Sequence, residues 1–264
     1  MRVLVTNDDG VGAPGIAALA AGLLGDGHDV LVVAPLHDAS GAGTATGAQR
    51  RDIVDTFRCE EGLAGGAPAF GVDASPALCV IAASSGAFGV VPDVVVAGVN
   101  AGRNIGRSVL HSGTVGAALT AAQMGLPALA LSMQVRRGVE TDFAPAVWLG
   151  RRLLPAAAAG AAPVLNCNLP AAPLGALAGV RLAPLGNTPL VRTAEVHDGH
   201  LRLEFRRDLG PDSEPTDETL TEAGFATVTP LSGIGTVIPA PRALHEIVAA
   251  ASAALSVDGG TAGC

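Results

Sequence analysis

The sequence predicts an α/β protein: a Rossmann-like, three-layer domain with a mostly parallel sheet, followed by a C-terminal β-hairpin and helix. Three observations predict it. Short valine-rich apolar runs of strand length recur in the first part of the chain. Helix-like stretches of small residues separate them, which is the strand–helix–strand rhythm of a parallel sheet. Beyond about residue 180 the runs give way to alternating apolar and polar residues around a turn signal.

The elements follow in order. Val3-Leu4-Val5 runs into Thr6-Asn7-Asp8-Asp9-Gly10 and suits a strand buried on both faces. Pro14 opens a helix over 16–24, because proline fits the first helical turn. A second strand at 30–34 stops at Pro35. Residues 36–52 are small, polar and glycine-rich, and so form a long loop of the kind that usually carries function. A helix is expected at 76–84 and a third strand at 90–97, leading into Gly98-Val99-Asn100. A helix at 114–124 is stopped by Gly125 and Pro127. A fourth strand at 128–132, a helix at 143–154 and a fifth strand from Val164 complete the series.

After that the stretches 181–183, 191–196 and 200–205 alternate in polarity, and Asp198-Gly199 marks a hairpin turn. Residues 208–219 read as an acidic loop, 224–230 as a last strand and 243–255 as a closing helix. The glycine-rich end, 257–264, reads as a flexible tail. The chain thus divides into a main domain, 1–180, an extension, 181–256, and the tail.

Composition narrows the chemistry. The 264 residues fit one large α/β domain, or one with a smaller appendage, and 49% apolar residues supply a substantial core. A net charge of −8 gives no overall field for a nucleic-acid backbone, so no duplex partner is expected. There is no lysine, which excludes a phosphate-loop lysine and a Schiff base. There is no tyrosine either, so no phenol serves as acid or nucleophile. Cys59, Cys79, Cys167 and Cys264 are scattered without metal-site spacing and read as reduced thiols. Neither a signal peptide nor a membrane span is evident, and a soluble, cytoplasmic protein is expected.

The polar clusters fall just after predicted parallel strands, where open α/β sheets bind ligands. Asp8 and Asp9 follow the first strand. Adjacent carboxylates repel unless a cation or proton intervenes, and a hard cation such as Mg²⁺ or Mn²⁺ would resolve this. The same pair also suits a helix cap or a solvated turn. Ser112-Gly113-Thr114 runs straight into a helix, so hydroxyls and free amides there form an anion site that needs no lysine. Asn104 and Arg103 could add donors, and the adjoining His111 is a candidate acid or base. Ser40-Gly41-Ala42-Gly43-Thr44 is weak on its own.

Taken together, these motifs resemble the SurE family of survival-protein nucleotidases. Thr6-Asn7-Asp8-Asp9-Gly10 with Ala13-Pro14-Gly15 is similar to its opening signature, and Val33-Ala34-Pro35 with Ser40-Gly41-Ala42 to its second block. Gly98-Val99-Asn100-Ala101-Gly102-Arg103-Asn104-Ile105-Gly106 and Ser112-Gly113-Thr114-Val115-Gly116-Ala117-Ala118 carry the most specific likeness. Leu165-Asn166-Cys167-Asn168-Leu169-Pro170, Thr216-Asp217 and Val228-Thr229-Pro230-Leu231 match later blocks.

The resemblance implies a C-terminal extension that exchanges between subunits of a homodimer or homotetramer. It implies divalent-metal-dependent hydrolysis of nucleoside monophosphates or a related phosphorylated metabolite. One Mg²⁺ or Mn²⁺ would sit on Asp8, Asp9, Ser40 and Asn100. Phosphate would meet Asn104, Ser112, Gly113 and Thr114. Asp8 or Asp9 could act as base and His111 as acid. The chain departs from the family pattern at Gly43-Thr44, Arg107-Ser108, His111 and 74–79, which bears on substrate choice. The alternative reading is a catalytically silent protein that binds a phosphorylated ligand in the same crevice.

Overall fold

Among the described residues nine strands form one sheet, in the order β3-β4-β2-β1-β5-β6-β7-β11-β8. These are β1 (Arg2–Thr6), β2 (Asp29–Pro35), β3 (Thr56–Arg58), β4 (Ala69–Val72), β5 (Val94–Ala101), β6 (Ala128–Met133), β7 (Val164–Leu169), β8 (Val180–Leu182) and β11 (Ala226–Leu231). β9 (Val191–His197) and β10 (His200–Phe205) form a separate two-stranded sheet. The helices are α1 (Pro14–Gly25), α2 (Pro76–Ser84), α3 (Gly113–Gln123), α4 (Ala144–Ala158) and α5 (Asp217–Glu222). This computed structural model describes residues 1–47, 53–59, 62–187, 191–205 and 215–233. Every described element lies in the unit Met1–Gly233. The helix expected at 243–255 and the tail at 257–264 lie outside the described residues.

Strands β4, β2, β1, β5, β6 and β7 are parallel neighbours. The chain moves outward from β1 in one direction, then returns to β5 on its other side. That reversal makes the β1–β5 boundary the switch point, where the loops leaving the strands part and open a crevice.

The sheet is buried on both faces. Val3 and Val5 face the core under α1 and α4, with Ile16, Leu19, Leu23 and Leu154. Leu4 and Val95 face the core under α2 and α3, with Val80, Val115 and Ala121. Alternation along each strand splits them in this way. Small residues let the layers approach closely. A Cβ on Gly150 of α4 would lie 2.5 Å from Leu131 Cδ1, and one on Gly15 of α1 would lie 2.1 Å from the Val99 carbonyl oxygen.

Local signals set the helix ends. Ser75 caps α2 by accepting from Leu78 N–H, and Ser112 caps α3 by accepting from Val115 N–H. Pro14 occupies the first turn of α1. Thr216 and Thr219 form a reciprocal capping box on α5.

Four details differ from the sequence reading. The third strand begins at Val94 rather than 90 and runs through Asn100 to Ala101. β3 and β4 arise within a stretch with no strong periodic signal. The acidic stretch ends in helix α5, because Thr216 supplies a cap that composition alone does not reveal. The last strand, β11, pairs antiparallel with β7 and parallel with β8, so the main sheet continues past residue 180. The β9–β10 hairpin forms as expected, turning at Asp198-Gly199.

Candidate functional site

β1 delivers Asp8 and Asp9 to the mouth of the switch point. Asn7 Nδ2 donates to the Gly10 carbonyl at 2.8 Å and tightens the turn that carries them. Asp8 is buried, and Asp9 is half-buried. Asp9 Oδ2 accepts from Ala101 N–H at 3.0 Å, which joins the end of β1 to the end of β5. A register shift between Ala97 and Asn100 lets the end of β5 re-pair with Asn100 opposite Ser132 of β6. Asn100 Nδ2 donates to the Gly102 carbonyl at 2.9 Å.

The second loop is fixed to the first strand. Ala39 N–H donates to the Asp8 carbonyl at 2.7 Å, which ties the residue before Ser40 to the strand end that carries the carboxylate pair. Ser40 donates through its hydroxyl (2.6 Å) and its amide (2.8 Å) to Asp38 Oδ1. The same loop rests on α3: a Cβ on Gly116 would lie 2.0 Å from the Gly43 carbonyl oxygen.

The start of α3 faces Asp8 directly. Thr114 Oγ1 donates to Asp8 Oδ1. A Cβ on Gly113 would lie 2.7 Å from Asp8 Cβ and 2.8 Å from its Oδ2, so only glycine allows this approach. Ser112 Oγ accepts from Val115 N–H, and the Ser112 carbonyl accepts from Gly116 N–H at 2.8 Å. The first-turn amides left without a helical partner are those of Gly113 and Thr114. The Ser112 hydroxyl keeps its own proton for a ligand.

Asn104 is clamped by the ends of β6 and β7. Its N–H donates to Asn168 Oδ1 at 2.7 Å, and its carbonyl accepts from Asn166 and Asn168, each at 2.9 Å. Its Nδ2 donates to Ser132 Oγ at 2.8 Å. One amide hydrogen and the side-chain oxygen remain for a ligand. Arg103, offered by the sequence as a further donor, is committed instead to Glu222 at 2.6 Å. His111 is exposed at the end of the short 3-10 turn Gly106–His111, one residue before Ser112. It makes no hydrogen bond among the described residues.

The sequence reading missed four contributors. Asn166 and Asn168 lie two apart in a fully buried strand and so share a face. That spacing of amides in an apolar run was the signal available. Ser132 had none, because a lone serine at a strand end is common. Asp217, buried, accepts from the N–H groups of Gly106 (2.9 Å) and Gly186 (2.8 Å), and so supports the loop beyond Asn104 from a distant helix.

The electrostatics are set by burial. Burial pushes the Asp9 carboxyl above its ordinary range, the Ala101 N–H opposes the shift, and the Asp8 and Asp38 charges add to it. The two bonds from Ser40 hold Asp38 below its ordinary range. None of the ion pairs among the described residues involves Asp8 or Asp9. No three His, Cys, Asp or Glu side chains among the described residues cluster to hold a metal. A cation here would need oxygen ligands beyond the two carboxylates. An open cleft of about 420 Å³ adjoins Asp9, walled by Pro14, Leu36, Asp38, Ala101 and Phe143.

Fold and site together define a doubly wound α/β protein whose switch point sets a carboxylate pair against a helix N-terminus. Similarity to known proteins narrows this class. The family model for the survival protein SurE matches residues 3–191. The chain is 41% identical over 239 residues to the 5'-nucleotidase SurE of Syntrophotalea carbinolica, covering 88% of this chain and 91% of that protein. It is 36% identical over 237 residues to the 5'/3'-nucleotidase SurE of Edwardsiella ictaluri, covering 88% and 89%. The crystal structure of the SurE protein from Aquifex aeolicus shares the fold, with a TM-score of 0.80 at 24% identity over 94% of this chain and all of that one. The chain belongs to the SurE family.

Proposed function

We propose that the protein is a divalent-metal-dependent phosphomonoesterase acting on nucleoside monophosphates, a 5'-nucleotidase. The observation that carries this reading is the packing of Gly113 and Thr114, at the start of α3, onto Asp8. An anion seat and a carboxylate pair thereby share one crevice. The names of the relatives support the substrate class. The cleft beside Asp9 falls within the roughly 300–1,000 Å³ usual for small-molecule sites and suits a nucleoside.

The donor set fits a hard cation. Asp8, Asp9, Ser40 and Asn100 offer carboxylate, hydroxyl and amide oxygens and no sulfur or imidazole, which suits Mg²⁺ or Mn²⁺. The half-buried Asp9 lacks a cationic partner among the described residues, and one divalent ion would supply it. Bound there, the ion supplies Lewis-acid polarisation of the phosphoryl group.

The chain's own residues do the rest. The Gly113 and Thr114 amides and the Ser112 hydroxyl donate to phosphoryl oxygens and stabilise charge that develops on them. The Thr114 hydroxyl is spent on Asp8, so its backbone amide makes the contact. Asn104, held rigid by Ser132, Asn166 and Asn168, presents its remaining amide hydrogen. Asp9, whose Oδ1 accepts no hydrogen bond among the described residues, accepts the proton of the attacking water in this reading. His111, exposed beside the anion seat, is placed to give one to the leaving oxygen.

We further infer that the extension 181–256 serves self-association into a homodimer or homotetramer. In support, β9 and β10 pair only with each other among the described residues, and such a hairpin is marginal alone.

The test is phosphate release from a panel of nucleoside monophosphates with Mn²⁺ or Mg²⁺, before and after EDTA, beside Asp9→Ala. Release that needs the metal and is lost in the variant is expected. Ligand binding without metal-dependent release across the panel would show a silent binding protein.

A further inference from the structure

We propose that Asp38 is a positioning residue for Ser40: it accepts the Ser40 hydroxyl hydrogen, so that the oxygen's lone pairs are presented to the cation. The inference rests on the metal-site reading given above. A serine hydroxyl has one hydrogen and two lone pairs. Ser40 Oγ donates that hydrogen to Asp38 Oδ1 at 2.6 Å, and the Ser40 amide reaches the same oxygen at 2.8 Å. The hydroxyl therefore cannot turn its hydrogen toward a positive ion. No donor among the described residues occupies its lone pairs. A carboxylate acceptor also leaves more negative charge on the donor oxygen, as outer partners do for other metal ligands.

Asp38 lines the same cleft as Asp9, and the residue between Asp38 and Ser40 is tied to the Asp8 backbone. The loop does not depend on Asp38 for its attachment. Ala39 N–H holds the Asp8 carbonyl at 2.7 Å, and Ala42 N–H holds the Ala39 carbonyl at 3.0 Å. Val11 N–H reaches the Pro35 carbonyl at 2.8 Å just before it. Removing the Asp38 carboxylate therefore leaves the backbone tie to β1 in place, and orientation can be separated from folding.

The experiment titrates the full-length protein with Mn²⁺ and reads free ion by electron paramagnetic resonance. It compares the native chain with Asp38→Ala, Asp38→Asn, Ser40→Ala and the double variant Asp38→Ala/Ser40→Ala. Asp38→Ala should weaken Mn²⁺ binding by roughly 10–100-fold, the range for loss of an outer partner. Asp38→Asn keeps an acceptor oxygen and should recover part of that loss. In the Ser40→Ala background the Asp38→Ala change should have little further effect, because the residue acts through the hydroxyl. Native affinity in Asp38→Ala, or an equal loss in both backgrounds, would overturn the proposal. A native chain that takes up no Mn²⁺ would instead defeat the metal-site reading itself, and this inference with it.

Discussion

The Thr114 hydroxyl, in the first turn of α3, donates to Oδ1 of Asp8, 106 residues earlier in the chain. Both groups are buried, so the bond joins a strand end to a helix start where water cannot replace it. Thr114→Val keeps the shape and removes the donor. At neutral pH the metal-free variant should lose about 1–3 kcal/mol of stability, the usual penalty for an orphaned buried acceptor. Urea unfolding of the two proteins measures this. Thr114→Ser should stay close to the native value, and equal midpoints for Val and Thr would contradict the role.

Gly113 has no room for a side chain. Its Cβ would lie 2.7 Å from Asp8 Cβ, closer than real Cβ contacts, so either α3 or Asp8 must move. Gly113→Ala should lower both Mn²⁺ affinity and thermal midpoint. Gly12→Ala, with nothing within 4 Å of its Cβ, is the control and should change neither. Isothermal titration and melting curves give the two readouts.

Asn168 holds Asn104 by two bonds, at 2.7 and 2.9 Å, from a fully buried position. Asn168→Ala frees the Asn104 backbone and should destabilise by about 1–3 kcal/mol. If Asn104 meets phosphate, KM for a nucleoside monophosphate should rise while Mn²⁺ affinity stays at the native level. A loss of metal affinity instead would place Asn104 among the ion's supports.

Asp9 sets a pH dependence of known sign. Its folded-state pKa is raised, so the folded metal-free protein holds this proton to higher pH than the unfolded chain does. The contribution is present at low pH and is lost as pH rises from the ordinary 3.8 through the raised value. Above that window Mn²⁺ binds the ionised Asp9 and stabilises by mass action, about 2.7 kcal/mol at a hundredfold excess over Kd. The Mn²⁺-induced rise in Tm should therefore grow as pH rises from the ordinary carboxylate range through the raised Asp9 value. Differential scanning calorimetry across that range, with and without metal, checks it. A rise that is flat or shrinks with pH would exclude the carboxylate pair as the seat.

The hairpin should govern assembly. Val196 and Leu201 are 77% and 63% exposed, face to face across the β9–β10 register. Replacing both with serine should lower the mass measured by light scattering on a sizing column. The metal dependence of phosphate release should stay unchanged. An unaltered mass would remove the hairpin from the interface.

Much of the fold was legible because its signals are local. The valine runs read as buried parallel strands, and Pro14 and Gly125 bracket the helices they were expected to bracket. The misses have two causes. Whether 69–72 becomes a strand depends on the edge of β2 that accepts it, and 56–58 in turn on the edge of β4, and no periodicity in either stretch records that. α5 hid in an acidic run because charge count obscured the cap at Thr216. The candidate site was half legible. Asp8-Asp9 and Ser112-Gly113-Thr114 stand out by residue type, whereas Asp38, Ser132, Asn166 and Asn168 matter only through their bonding partners.

The sequence by itself determined the alternation of strands and helices, the polar strand ends and the absence of any lysine to meet a phosphate. Each of these follows from side-chain type and short-range spacing, which a linear chain carries explicitly. Only the tertiary structure decided that β1 lies beside β5, that Gly113 presses on Asp8, and that the Thr114 hydroxyl is spent on a carboxylate. Strand order and helix approach depend on which surfaces bury one another across the whole sheet. The partner of each polar atom is fixed by that burial.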